Sequence, residues 1–434
     1  MNQVMTRSLT WISRVGVGAT FIFSGFTKGI DPYGTLYKLR DYLTAVSIDL
    51  PDPFLLVVSF TLFLTEFLLG LFILLGCYRK IAPRLVALIM LFMLALTLWI
   101  AIANPVADCG CFGDALILSN WATLFKNVVL TLMAIWLVRF NTSVVSLIAP
   151  AVQWLAFVGG GCYLAIISFI GYRIQPIIDF RPFPSGSHIV VDEVTEDNEQ
   201  YSFIYRRGNE EMRVEANDEL PEESEGWTFE RRELIPGQEN RNQKESSFRI
   251  FDEDGDEDIT TDLIDSDSTT LLVCMPEPAK VSKGDIWRIE ELLAEAEEED
   301  IDGMIVAGGG DMTILNIWKE NLSDRFPIYQ AEDTSIKMLV RGNPGIVILH
   351  GDSIGMKGTL SSIPLRSLMK ERGIDSTGYE IKDFSFPLHK WLNLLSIGLG
   401  IWILVLIIGS ALGWFIRGGR VHHVESSSLD KSVQ

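Results

Sequence analysis

Two cysteines separated by one glycine stand in a short polar hairpin between apolar runs, Ala107-Asp108-Cys109-Gly110-Cys111-Phe112-Gly113-Asp114. Thiol–disulfide chemistry needs an accessible thiolate and a resolving partner close by. A Cys-x-Cys disulfide closes a small, strained ring, and strain makes such a bond more oxidising. Gly110 supplies the bend that this ring requires. Asp108 and Asp114 flank the pair and are expected to raise its thiol pKa values, which works against a reactive thiolate. The same spacing also suits a static loop closed by a structural disulfide, or two buried thiols. The compartment that the hairpin faces therefore matters, because disulfides persist in oxidising surroundings.

Glu66 is the second candidate. It lies near the middle of an apolar run, where an ionisable side chain is costly and is by default a functional hypothesis. Counting depth sets it level with Thr20 and Ser24, with Arg14 placed to reach toward it from the other side. It could take up a proton coupled to a thiol or quinone reaction, or lock helices together as a protonated or paired group. Cys162 sits in an apolar run and reads as packing, with a resolving role as the sharper alternative. Two hairpin cysteines without a nearby histidine fall short of a tetrahedral metal set, so no metal is expected. Asp252–Asp258 is only superficially a calcium loop, because its glycine is misplaced, and reads better as a hairpin turn. Gly308-Gly309-Gly310 lacks the lysine-serine continuation of a phosphate loop and reads as a turn. The histidines are scattered and suggest no triad.

These residues must be positioned by membrane helices. The chain has 434 residues, of which 48% are hydrophobic, and its mean hydropathy of +0.25 is too apolar for an ordinary soluble protein. Apolar runs near the bilayer-crossing length of about 20 residues fall at 9–30, 54–77, 85–103, 121–138, 144–170 and 391–416. The first is not read as a cleaved signal, since a charged loop and no small-residue site follow it. Arg7, Arg79, Lys80, Arg84, Arg139, Arg417 and Arg420 all fall on one side, which by the positive-inside rule is cytoplasmic. Both termini are then cytoplasmic, and the loop 31–53, the cysteine hairpin and residues 173–390 lie outside the cell membrane. Cys77 falls at the cytoplasmic end and should stay reduced.

The net charge of −20 is concentrated in this outer part, and without a basic face nucleic-acid binding is excluded. The expected organisation is a five-helix bundle over 1–172, a proline-rich strap and small β-rich segment over 173–245, an α/β domain over 246–372, a sixth span over 391–416 and a polar, disordered tail over 417–434. Within the α/β domain, strands are expected at 269–275, 303–307, 343–349 and 353–358. Helices are expected at 284–299, from Asp311 to 322, and at 362–372, giving a small sheet flanked by helices.

Two resemblances follow. Arg14, Phe21-Ile-Phe-Ser-Gly-Phe-Thr-Lys28, Glu66 with Gly70, the Asp-Cys-Gly-Cys-Phe-Gly hairpin and Asn127 make residues 8–140 similar to the DoxX/MauE group of redox-associated membrane proteins. That resemblance implies membrane-associated thiol or electron chemistry, MauE being tied to maturation of a disulfide-rich subunit of methylamine dehydrogenase. Residues 246–372 resemble the thioredoxin fold, which carries a cis-proline before a strand; Pro344 in Asn343-Pro-Gly-Ile-Val-Ile-Leu349 takes that place. The family's Cys-x-x-Cys is missing, because Met275-Pro-Glu-Pro-Ala-Lys-Val281 follows the first strand, and Cys274 lies within the strand as a small buried hydrophobe.

The expectation is therefore an integral membrane protein that assists thiol–disulfide or electron-transfer maturation of an extracytoplasmic client. Cys109 and Cys111 would exchange electrons, and Glu66 would tune or relay protons. No cofactor is evident in the sequence, though a quinone would suit such a site. The contrasting expectation is a non-enzymatic subunit or scaffold of an envelope complex, docking through its acidic domain.

Overall fold

A computed structural model of the chain describes residues 3–106, 109–189, 201–207, 210–215, 228–234, 248–253, 255–264, 268–299, 301–308, 318, 326–360, 362 and 388–430. It falls into two compact units, residues 1–180 with 385–434, and residues 181–384. The sequence expectations for Asp108, the cap at Asp311 and the helices at 311–322 and 363–372 lie largely outside the described residues.

The first unit is a membrane bundle, and six of its helices are long and apolar enough to cross a bilayer. They are α1 (Gln3–Ile30), α3 (Asp52–Leu75), α4 (Ala82–Ala103), α5 (Asn120–Arg139), α6 (Gln153–Arg173) and a C-terminal helix, Leu388–Asp430. Two departures from the sequence reading have local causes. The loop 31–53 contains a helix, α2 (Pro32–Ala45), started by Pro32 at its first turn and by the Asp31 side chain, which accepts from the Gly34 N–H at 2.9 Å. The fifth span begins at Gln153, after a 3-10 turn at Pro150–Val152, and not at 144. Pro150 holds Ala149 extended at ψ 139°, and the apolar residues Val144 and Ile148 are buried as a strap, not a helix. The polar tail also differs from expectation, since the C-terminal helix runs on to Asp430; after Gly419 it meets neither glycine nor proline.

α1 and α3 pack backbone against backbone. A Cβ added to Gly25 would lie 2.5 Å from the Phe67 nitrogen, and one on Gly70 would lie 2.6 Å from the Ile22 nitrogen. Small residues permit this approach between membrane helices. The face of α1 turned inward carries Arg14, Val17, Phe21, Ser24 and Lys28, spaced three and four apart, and all are buried.

Arg14 serves a different end from the one its sequence position suggested. It does not approach Glu66. Its Nε donates to the carbonyls of Ile73 and Leu74 at 3.0 Å each, and its Nη1 to the carbonyl of Val145 at 2.8 Å. A buried cation thus satisfies the carbonyls at the end of α3 and ties down the 144–149 strap.

The second unit contains two sheets. β1 (Tyr201–Arg207), β2 (Glu210–Glu215) and β3 (Thr228–Leu234) form an antiparallel sheet in the order β2-β1-β3. The other is a mixed five-stranded sheet of β4 (Thr269–Met275), β5 (Asp302–Gly308), β6 (Ile328–Ala331), β7 (Gly345–His350) and β8 (Ser353–Thr359), in the order β6-β5-β4-β7-β8. β4, β5 and β6 are parallel, whereas β7 and β8 run antiparallel. α7 (Lys283–Glu298) covers one face through Ile289, Leu293 and Ala296, against Leu271, Val273 and Ile305. α8 (Asp333–Leu339) covers the other through Ile336 and Leu339, joined by Phe248 and Ile250 against Leu272, Cys274 and Val306. Continuous apolar burial on both faces explains why β4 shows no alternation.

β6 and α8 were not anticipated. β6 is four residues long, too short for its period to stand out. The 248–259 region forms isolated bridges, Phe251 with Asp258 and with Gln330, and not a full hairpin. The Asn343–Pro344 peptide is cis and directly precedes β7.

Candidate functional site

The hairpin between α4 and α5 is held by its neighbours. Gly110 takes a left-handed backbone, φ +58°, and the Gly113 N–H closes a turn on the Gly110 carbonyl at 3.1 Å. Tyr42 of α2 donates to the Cys109 carbonyl, and Ser24 of α1 lies 2.7 Å from the Cys111 carbonyl. Phe112 lies over α1 against Phe23, with ring centroids 5.4 Å apart, and Lys126 of α5 places its ammonium 4.0 Å from the Phe112 centroid.

This anchoring brings the two sulfurs to 2.8 Å as free thiols. A disulfide needs about 2.05 Å, so the pair closes with little movement. Cys109 is buried and Cys111 is partly buried. The Cys111 thiol is lowered to about 6, first by the hydrogen bond from Cys109, and further by Lys126 and Lys28 against the opposing effect of burial. The Cys109 thiol is raised by that same hydrogen bond and by burial. One sulfur therefore carries the negative charge and the other holds the proton. Lys28 and Lys126 both act on Cys111 from other helices; Asp108 lies outside the described residues.

Glu66 faces the same place. Lys28 Nζ lies 2.9 Å from both carboxylate oxygens, and both side chains are buried. Ser24 Oγ lies 2.8 Å from Glu66 Oε2 as well as 2.7 Å from the Cys111 carbonyl. A hydroxyl has one proton, so Ser24 can fully satisfy only one of the two acceptors. The carboxylate is thus linked to the hairpin through a single hydroxyl.

Residues 6–140 match the family model for methylamine utilisation protein MauE. The matched stretch contains α1 to α5 and every residue of this cluster, so the front of the bundle is similar to MauE. No curated protein and no solved structure matches the chain.

The MauE-like stretch leaves the remaining cysteines apart from the site. Cys162 is exposed on α6, whereas Cys77 is buried beyond the end of α3 with its thiol pushed up to about 11 by burial. In the sheet unit Cys274 is fully buried within β4, and burial pushes its thiol up to about 12. The end of β4, where Pro276 and Glu277 follow, is pinned by Asn343: its Oδ1 accepts from the Glu277 N–H at 3.3 Å and its Nδ2 donates to the Glu277 carbonyl at 2.8 Å. Pro344 is adjacent, and the next residue, Gly345, stands opposite Cys274 in the β4–β7 ladder. Among the described residues no group of three His, Cys, Asp or Glu side chains is gathered to hold a metal. Asp252 forms a turn, its Oδ1 accepting from the Asp256 N–H at 2.8 Å. His188 pairs with Asp352 at 3.0 Å on the surface, and Gly308 ends β5, with Gly309 and Gly310 outside the described residues.

Sequence reasoning missed Lys28, Lys126 and Tyr42 as site residues. Lys28 was legible, since it continues the spacing of Arg14, Phe21 and Ser24 on one face of α1. Lys126 carried a weaker signal, as a cation nearly two turns inside an apolar helix and next to Asn127. Tyr42 lies on α2, a helix whose existence the sequence did not announce.

Proposed function

We propose that this protein performs thiol–disulfide exchange at the membrane surface for an extracytoplasmic client, through Cys109 and Cys111. The observation that carries this reading is the sulfur pair at 2.8 Å, with Lys28 and Lys126 lowering the Cys111 thiol. In the oxidised hairpin, a client thiolate attacks one sulfur, forming a mixed disulfide and releasing the other as thiolate. A second client thiol resolves it. The client gains one disulfide, and the hairpin becomes the dithiol. Lys28 and Lys126 stabilise the leaving thiolate, and the Cys109 thiol hydrogen-bonds to it once the mixed disulfide is resolved. Glu66 is a positioning residue, holding Lys28 beside the hairpin.

The positive residues at the α1 start, the α3–α4 turn and the α5 end support a cell-membrane orientation with the hairpin and residues 173–390 outside. The similarity of residues 6–140 to methylamine utilisation protein MauE supports a role in a redox or maturation pathway. The order β5-β4-β7-β8, with β4 and β5 parallel and β7 and β8 antiparallel, supports a thioredoxin-like reading of the five-stranded sheet. That sheet's lack of a dithiol, and the exposure of Trp287 on α7 at 65%, favour client holding over turnover there. Trapping thiols in intact cells tests the proposal. The hairpin should cycle between oxidised and reduced forms, and a Cys109→Ser/Cys111→Ser variant should accumulate reduced client. A pair that stays oxidised, with a fully functional double variant, would leave the scaffold reading in its place.

A further inference from the structure

The hairpin forms one end of a cavity of about 800 Å³ that the thiol exchange itself does not use. Lys28, Glu66, Cys109 and Cys111 line it beside Asp31, Lys38 and Asp114, and apolar side chains of α2, α3 and α4 make up most of the remaining wall. Leu62, Leu88 and Phe92 line it and are also exposed on the membrane-crossing helices, Leu88 by 65% and Phe92 by 67%. The cavity is therefore open toward the acyl region between α3 and α4, and its volume lies within the range of about 300–1,000 Å³ that holds small organic ligands. A ligand entering there must be dissolved in the bilayer, apolar along most of its length, and tipped with a group that a cation and two sulfurs can address.

We propose that this cavity binds a bilayer-dissolved quinone, ring toward Cys111 and tail between α3 and α4, as the electron acceptor that reoxidises the hairpin; the proposal rests on the thiol–disulfide reading above. The exchange with a client leaves the hairpin as a dithiol, and each turnover requires removal of two electrons. Cys109 and Cys111 form their S–S bond, the quinone ring takes the electron pair, and two protons convert it to the quinol. One proton comes from the Cys109 thiol. The other is drawn from the aqueous face, replacing the one that Cys111 gave up on becoming a thiolate. Lys28 stands beside the reacting end and stabilises the developing negative charge on the ring oxygen, as preorganised cations do for oxyanions. Glu66 sets the position of that ammonium, 2.9 Å from both its oxygens. A phospholipid acyl chain could also occupy an apolar cleft, but it leaves the cation and the sulfurs without a reaction partner.

The test uses the full chain, purified in detergent, reduced and freed of reductant. Decyl-tailed ubiquinone is added anaerobically, and quinol absorbance is followed beside the loss of free thiols. One quinol should form per pair of thiols lost. Formation should vanish in Cys109→Ser/Cys111→Ser and fall at least tenfold in Leu62→Trp, which fills the cleft between the helices. Ile166→Trp, on the exposed side of α6, should react like the parent chain and controls for general effects of a bulky substitution. Dithiothreitol and glutathione disulfide, soluble reagents, are run in parallel. A hairpin that exchanges with them but forms no quinol overturns the quinone proposal and leaves thiol exchange standing. A hairpin inert to both overturns the two together. Co-purified phospholipid that stays bound in excess quinone, with no quinol formed, assigns the cleft to lipid and overturns the proposal. Quinol formation that Leu62→Trp leaves unchanged overturns the cavity as its site.

Discussion

Cys111 in the bundle is partly buried and Cys274 in the sheet fully so, and their thiols move in opposite directions, to about 6 and about 12. Burial raises a thiol wherever it acts alone, because a thiolate loses its hydration. Cys274 has apolar neighbours on the α8 face of β4 and only a weak countering cation in Lys357. Cys111 has a sulfhydryl donor 2.8 Å away and two lysines nearby. The lowering of Cys111 comes from its partners, which act against burial. Under the proposed function the sheet holds a client without a nucleophile, and the bundle supplies the nucleophile.

The broadest test of this contrast is loss of function. Cys111→Ser should abolish exchange with a dithiol substrate, a loss of several orders of magnitude, while Cys274→Ser should retain the parent rate. Rates of disulfide exchange on the purified chain decide it; equal losses from both would erase the distinction between the two regions.

The next largest effect concerns stability. Glu66→Gln leaves Lys28 charged and buried without its counter-ion, at a cost of about 3–5 kcal/mol. Lys28→Met/Glu66→Gln removes both charges and should recover most of that loss, as measured by thermal unfolding in detergent. A double variant no more stable than Glu66→Gln would mean that the pair is not the unit the geometry describes. No comparable buried ion pair is found in the sheet among the described residues, so the bundle alone should show this rescue. Gly110→Ala tests the hairpin bend at a smaller scale. A side chain at φ +58° costs about 1–2 kcal/mol, and its Cβ would sit 3.1 Å from Lys38 Cγ. Its melting temperature should fall by a few degrees, with slower closure of the disulfide.

How far the sequence announced these features follows from their physics. Long apolar runs made the spans legible, and Asn343-Pro344 before an apolar run marked the strand β7. The start of α6 was not legible, because Val144 and Ile148 are as apolar as a span but pack as a strap under Arg14 and Leu75. The cysteine pair and Glu66 stood out by residue type. Their joining through Ser24 and Lys28 did not, since it depends on how closely Gly25 and Gly70 let α1 approach α3. The lowering of the Cys111 thiol was not legible either, because Lys28 and Lys126 reach it from other helices.

The smallest effect separates the contributions to the Cys111 thiolate. Its folded value lies below the ordinary thiol value of about 8.5, so the thiolate is present above pH 6 and is lost as pH falls through about 6. Alkylation of the reduced hairpin should therefore be half-maximal near that pH and level by neutrality. Cys109→Ala removes the leading cause, the sulfhydryl donor, and should move the half-point upward the most. Lys126→Gln removes a more distant cation and should move it upward by about half a unit to one unit, less than Cys109→Ala. High salt should shift the parent toward the Lys126→Gln curve only slightly, because Lys126 is partly shielded against Phe112. If Lys126→Gln leaves the half-point in place while Cys109→Ala moves it, the sulfur pair alone creates the thiolate. The contrast with Cys274 would then rest on one hydrogen bond and not on the helices that converge around it.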